Sequence, residues 1–106
     1  MEENLDEFDY VIINVEYSLN GSLSGAKILT KWVEQGGLPT QLPVPVFAGL
    51  LIVGRYNICG VYVFSNGMTT PMEIKSNPNI TVSIKENNIV IENASLVNQK
   101  CIYLYA

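Results

Sequence analysis

The sequence predicts an all-β protein: a single antiparallel β-sandwich, jelly-roll-like, of about seven to eight short strands. Three observations carry this reading. Leu50 to Val53 are apolar without a break, and the β-branched and aromatic run Ile58 to Phe64 follows across Arg55-Tyr56-Asn57, the composition of two adjacent central strands. Ile80-Thr81-Val82-Ser83-Ile84-Lys85 alternates apolar and polar, and Ile89 and Ile91 answer it after a polar turn, which is a hairpin with one buried face. Turn residues punctuate the chain throughout, at Asn20-Gly21, Ser24-Gly25, Gly36-Gly37, Ser65-Asn66-Gly67 and Ser76-Asn77-Pro78-Asn79, leaving room only for short elements.

Residues 1–8 read as an acidic N-terminal arm and residues 9–106 as the β domain. The first strand is expected over Tyr10 to Tyr17, where Ile13, Val15 and Tyr17 share a face. Ala26 to Val33 is ambiguous: Ile28, Leu29, Trp32 and Val33 fit one helical stripe as well as a strand. Thr30, Trp32 and Val33 tip the choice to strand. Gly36 to Pro45 holds Pro39, Pro43 and Pro45, so it reads as an extended loop or edge crossing, because proline donates nothing to a ladder.

Met68 to Ile74 is a weaker strand, interrupted by Pro71 and so placed at an edge. Lys100 to Tyr105 closes the domain, with Cys101, Tyr103 and Tyr105 on one face and Ile102 and Leu104 on the other. Both faces call for cover. The expectation is a sandwich interior on one side and a subunit contact through Ile102, Tyr103, Leu104 and Tyr105 on the other.

The chain has 106 residues, 48% of them hydrophobic and 15% charged, enough for one buried core without metals or disulfides. Its net charge of −4 is concentrated at the start, where Glu2, Glu3, Asp6, Glu7 and Asp9 supply five of ten acids. The rest is near neutral and offers no footprint for nucleic acid. No apolar run is long enough for a membrane-spanning helix, and the opening residues lack the pattern of a signal peptide. Cys59 and Cys101 lie in apolar strands without metal-binding spacing and read as buried free thiols, with a single disulfide between neighbouring strands as the alternative.

Catalysis is not expected. There is no histidine, which removes the commonest general base and zinc ligand. The acids after residue 9 are scattered, and no phosphate-binding glycine loop is present. No cofactor or metal is implied. Asn20, Asn79 and Asn93 match the N-glycosylation pattern and read as ordinary turn residues. The residues best placed for a ligand are Trp32, beside the Gly/Pro-rich loop, and Arg55, Tyr56 and Asn57 at a strand end. Aromatic faces there could stack on a sugar ring.

Leu5 to Ile13 (LDEFDYVII) resembles the "L-x-D-F-D-Y-hydrophobic" opening of small C-terminal domains in tail-fibre and minor tail proteins of phages and prophages of Gram-positive hosts. Ala26 to Leu29 occupies the place of their second strand. Ile80 to Asn93 is similar to their "ITVSxxGNTVTITN" hairpin, and Lys100 to Tyr105 to their closing "xxIYVYx" strand. The chain departs from the pattern in the Gly36 to Pro45 loop and at Glu86, where glycine is common.

The resemblance implies a homotrimeric, non-catalytic knob in a virion tail, made in the bacterial host's cytoplasm. Its partners would be a host cell-surface glycan and other tail or baseplate proteins, with no nucleic acid and no membrane. Repetition of a shallow site would raise its strength. A purely structural tail module and a bacterial surface carbohydrate-binding module are the alternatives.

Overall fold

A computed structural model describes Phe8 and residues 27–106. The first strand expected over Tyr10 to Tyr17 lies outside the described residues, as do the first seven residues of the arm. Within them run eight strands: β1 (Lys27–Val33), β2 (Thr40–Pro43), β3 (Ala48–Arg55), β4 (Ile58–Ser65), β5 (Met72–Lys75), β6 (Ile80–Lys85), β7 (Asn88–Asn93) and β8 (Gln99–Tyr105). They form a five-stranded sheet of order β1-β8-β3-β4-β5 and a three-stranded sheet of order β2-β7-β6, paired antiparallel throughout. The two pack as a β-sandwich.

The Ala26 to Val33 segment is strand, and its ambiguity has a simple source. Leu29 and Val33 join the core between the sheets, while Ile28 and Trp32 stand half-exposed on the outer face. A strand apolar on both faces reproduces the spacing of a helical stripe.

The Pro-rich stretch, expected to be a loop or edge crossing, contributes the four-residue edge strand β2. Leu42 pairs with Ile89 and Pro43 with Asn88. Because Asn88 is engaged with Lys85 at the turn end of the β6–β7 hairpin, Pro43 occupies a position where its nitrogen points away from β7 and needs no hydrogen. β5 begins directly after Pro71 and lies at a sheet edge, with all four residues exposed, as the sequence indicates.

Two hairpin turns are built without glycine. Arg55 pairs with Ile58 across Tyr56-Asn57, and Tyr56 takes a φ of 55°. Lys85 pairs with Asn88 across Glu86-Asn87, whose φ values of 49° and 64° define a type I′ turn. The Asn66-Gly67 pair instead opens the longer β4–β5 connection, with the Met68 N–H donating to Ser65 O at 3.2 Å and only Gly67 at positive φ, 85°.

The interior is organised around Tyr103, which is wholly buried on β8. Its ring stacks on Tyr105 with centroids 4.5 Å apart and meets Phe64 edge-on at 6.2 Å. Its hydroxyl donates to the Pro43 carbonyl on β2 at 2.9 Å, so one side chain spans the sandwich. Gly49 makes room: a Cβ there would sit 2.8 Å from the Tyr103 ring. Around it pack Leu42, Leu51, Val53, Phe64, Ile89, Ile91 and Cys101.

A second apolar cluster lies on the outer face of the five-stranded sheet. There Phe8, Ile102 and Leu104 are buried against Leu50, Ile52 and Cys59. Phe8 closes over Gly54, where a Cβ would come within 2.7 Å of its ring. The residue read as the last of a solvated arm is therefore part of the packed domain. Cys59 and Cys101 are both free, one in each cluster, and so sit on opposite faces of one sheet. No disulfide can join them without rebuilding β3 between them.

Burial pushes the Tyr103 phenol well above its ordinary pKa of 10.0. Below pH 10 the phenol is protonated in folded and unfolded chains alike. Above it the unfolded chain loses the proton first, so stability falls with rising pH, by up to about 1.4 kcal/mol per pH unit from this group. Urea unfolding at pH 8 to 12 should show Tyr103→Phe losing about 1 kcal/mol at pH 8 and declining less steeply above pH 10 than the parent. In thermal melts, the pair Glu86→Asn with Asn87→Gly, which suits a type I′ turn, should raise Tm by a few degrees, equivalent to about 0.5–1 kcal/mol.

Candidate functional site

Three of the four residues singled out as a ligand site come together at one end of the five-stranded sheet. Pairing of β1 with β8 sets Trp32 opposite Lys100, and pairing of β8 with β3 sets Lys100 opposite Gly54. Arg55, the next residue on β3, lies with its guanidinium 5.6 Å from the centre of the Trp32 ring and 5.1 Å from that of Tyr56. The Lys100 ammonium lies 4.7 Å from the Trp32 ring centre. Each distance is within cation–π range. Asn57, the fourth residue, is exposed beside Tyr56 in the turn, and nothing draws it into the cluster.

The backbone under this ledge is fixed by polar side chains. Asn93 donates through Nδ2 to Val33 O at 2.8 Å and Val97 O at 3.0 Å, and its Oδ1 accepts from the Ser95 N–H and hydroxyl. This sequon asparagine is thus a structural tie between β7, β1 and the β7–β8 connection. Asn98 accepts from the Gln35 N–H at its side chain and from Arg55 Nη1 at its carbonyl. Buried Asn77 donates to Val53 O and to Gln99 Oε1, holding the start of β8 against β3. The guanidinium is therefore placed by a carbonyl on one side and by two rings on the others.

Trp32 and Tyr56 remain 50% and 51% exposed. The ledge offers half-open aromatic surface with two cations set against it. Nothing in it activates a nucleophile. Among the described residues no group of three His, Cys, Asp or Glu comes together. Burial lifts the Cys101 thiol to about 11, leaving it protonated at neutral pH and weakly nucleophilic. What the arrangement can do is bind: aromatic surface for the apolar face of a ring, guanidinium and ammonium for an anionic group.

Lys100 was not among the sequence candidates. Only the β1–β8 register reveals it, and no local pattern in Gln99-Lys100-Cys101 carries that signal. The other expected surface, Ile102 to Tyr105, is placed differently. Ile102 and Tyr103 have no exposed area in the single chain, and Leu104 has 8%. Tyr103 faces the core between the sheets, and the outer pair is covered by a cluster that includes Phe8. A hydrophobic subunit contact on this strand has only Tyr105 and the rim of Leu104 to use; the exposed large apolar side chains of the same sheet are Ile28, Trp32, Ile58, Met72 and Ile74.

In comparison with known proteins, no family model, no curated protein and no solved structure matches the chain.

Because Lys100 and Arg55 lie against the Trp32 ring, Lys100→Ala should make the single tryptophan more accessible to acrylamide. The expected result is a larger Stern–Volmer constant, with a stability loss of about 0.5–1 kcal/mol.

Proposed function

We propose that this chain is a non-catalytic binding domain of a phage or prophage tail fibre or baseplate. In this reading it acts as a homotrimer that attaches to host-surface polysaccharide through the Trp32–Arg55–Tyr56–Lys100 ledge. The virion setting and the trimer rest on the resemblance of the LDEFDYVII opening, the Ile80 to Asn93 hairpin and the closing strand to tail domains. The observation that carries the binding role is the convergence of two half-exposed aromatic rings with two cations at one sheet end.

The ledge favours a particular kind of glycan. A neutral sugar would use the rings alone. An acidic saccharide uses both, with its ring against Trp32 or Tyr56 and its carboxylate or phosphate on Arg55 and Lys100. Each site is shallow, so useful strength would come from three copies on one fibre.

Tyr56 lets folding be separated from binding. Its ring is held by a turn residue with φ of 55°, a conformation costing a non-glycine residue about 1–2 kcal/mol. Tyr56→Gly removes the ring and that cost together. On an array of acidic and neutral bacterial glycans, the parent should bind acidic members, more weakly as salt is raised. Trp32→Ala and Tyr56→Gly should each lose about tenfold in affinity, close to 1.4 kcal/mol, with Tm for Tyr56→Gly shifted by only a few degrees. Sedimentation should give the mass of a trimer. A monomer that binds no glycan at millimolar concentration would defeat this reading.

A further inference from the structure

The two sheets are unequal, five strands against three, and the shortfall falls at one side. β6 is the outer strand of the small sheet and β5 that of the large one. Between them lies a cleft of about 620 Å³, walled by Ile80 to Ile84 on one side and by Thr69, Thr70, Pro71 and Glu73 on the other, with Tyr62 at its floor.

The backbone of β6 is set up to be paired there. Lys85 and Asn88 close a two-residue turn, so they form a hydrogen-bonded pair, and such pairs alternate along an antiparallel hairpin. Lys85, Ser83 and Thr81 therefore bond to β7, while Val82 and Ile84 direct their N–H and C=O groups away from it. Among the described residues no strand answers them. β6 has no proline, bulge or inward charge, and its one charged residue, Lys85, stands at the turn end. β5 has both a neighbouring proline, Pro71, and Glu73, which pairs with Tyr62 and so shares its inward face.

Tyr62, at the floor of the cleft, is 2% exposed, and its hydroxyl and the Asn77 Cβ both close over Gly60. Burial raises the Tyr62 pKa, a hydrogen bond from the Asn77 backbone opposes the rise, and the Glu73 carboxylate adds to it.

We propose that this cleft takes an extended peptide, which adds to β6 as a fourth strand and sets a basic side chain against Glu73. At about 4.8 Å from β6 and with about 10 Å between sheets, the volume holds about four residues of one strand. That volume fits one short strand and no neighbour beside it, which disfavours the edge of a second copy. Glu73 is the only charged side chain among the described residues lining the cleft, and it selects a cation. Main-chain bonds to Val82 and Ile84 would give affinity, and Glu73 the choice of sequence.

The test uses the full chain and two probes, acetyl-Thr-Val-Lys-Val-Thr-Val-amide and the same peptide with Glu for Lys. The Lys peptide should bind at least fivefold more tightly and slow amide exchange at Val82 and Ile84. Glu73→Lys, an exposed change, should reverse the preference. Val82→Pro, which takes away an outward N–H together with the Val82 side chain on the core, should abolish binding of both in protein that still melts cooperatively. Equal affinity for the two probes, or no binding at 5 mM, overturns the proposal. So does slow exchange of Val82 and Ile84 in the chain alone: protection that grows with protein concentration would assign the edge to a second copy, and protection independent of it to another segment of the same chain.

Discussion

One hydrogen bond and the hole that permits it set the geometry of this sandwich. The Tyr103 side chain crosses the interior to reach the Pro43 carbonyl, tying the last strand of the large sheet to the edge strand of the small one. It can lie flat only because Gly49 has no side chain. Phe64 and Tyr105 then box the ring, and the aliphatic residues of β3, β6 and β7 fill the space around it. Pro43 ends the small sheet at the β2 border, and among the described residues that layer is three strands wide. The large sheet is covered in its middle and left bare near β5, and its outer face needs a separate apolar lid, to which Phe8 contributes.

The same arrangement links the core to the ledge. Val33, at the end of β1, is buried against the interior, while its neighbour Trp32 points outward. Val53 and Cys101 are likewise interior, and of their outward neighbours Lys100 belongs to the ledge while Gly54, opposite it, brings no side chain. Alternation along β1 and β8 thus converts core packing on one face into the fixed spacing of Trp32 and Lys100 on the other, while Arg55 and Tyr56 meet them from the turn end of β3. The asparagines hold the connections that alternation cannot reach.

Much of the fold was legible in the sequence because its strands carry strong period-two signals. Ile80 to Ile84 and Ile89 to Ile91 are inward exactly where alternation requires, and the unbroken run Leu50 to Val53 is covered on both faces. The Ala26 to Val33 segment was harder, since a two-faced strand and a helix stripe share their spacing. β2 was obscured because proline argues against a ladder unless the register is known; Pro43 is tolerated by a pairing that depends on Asn88, remote in sequence. The ligand candidates were chosen for being aromatic or cationic near turns, which brought Trp32, Arg55 and Tyr56 but not Lys100 or the Asn98 carbonyl. Those two owe their place to strand order and to backbone direction, and neither leaves a local trace. The closing strand was read as two-faced, correctly, but the side chains that cover its outer face include one from residue 8, too far away in sequence for periodicity to connect.

The opposed placement of the two cysteines has a practical consequence. Cys101 has no accessible surface and holds its proton to about pH 11, whereas Cys59 is partly open and neighbours Phe8 on the far side of the sheet. To a maleimide or a nitroxide reagent, a polypeptide with two sulfurs therefore presents a single reactive handle. A label fixed there would sit beside the hydrophobic lid and report, without any engineered substitution, whether that lid lifts while the sandwich beneath stays intact.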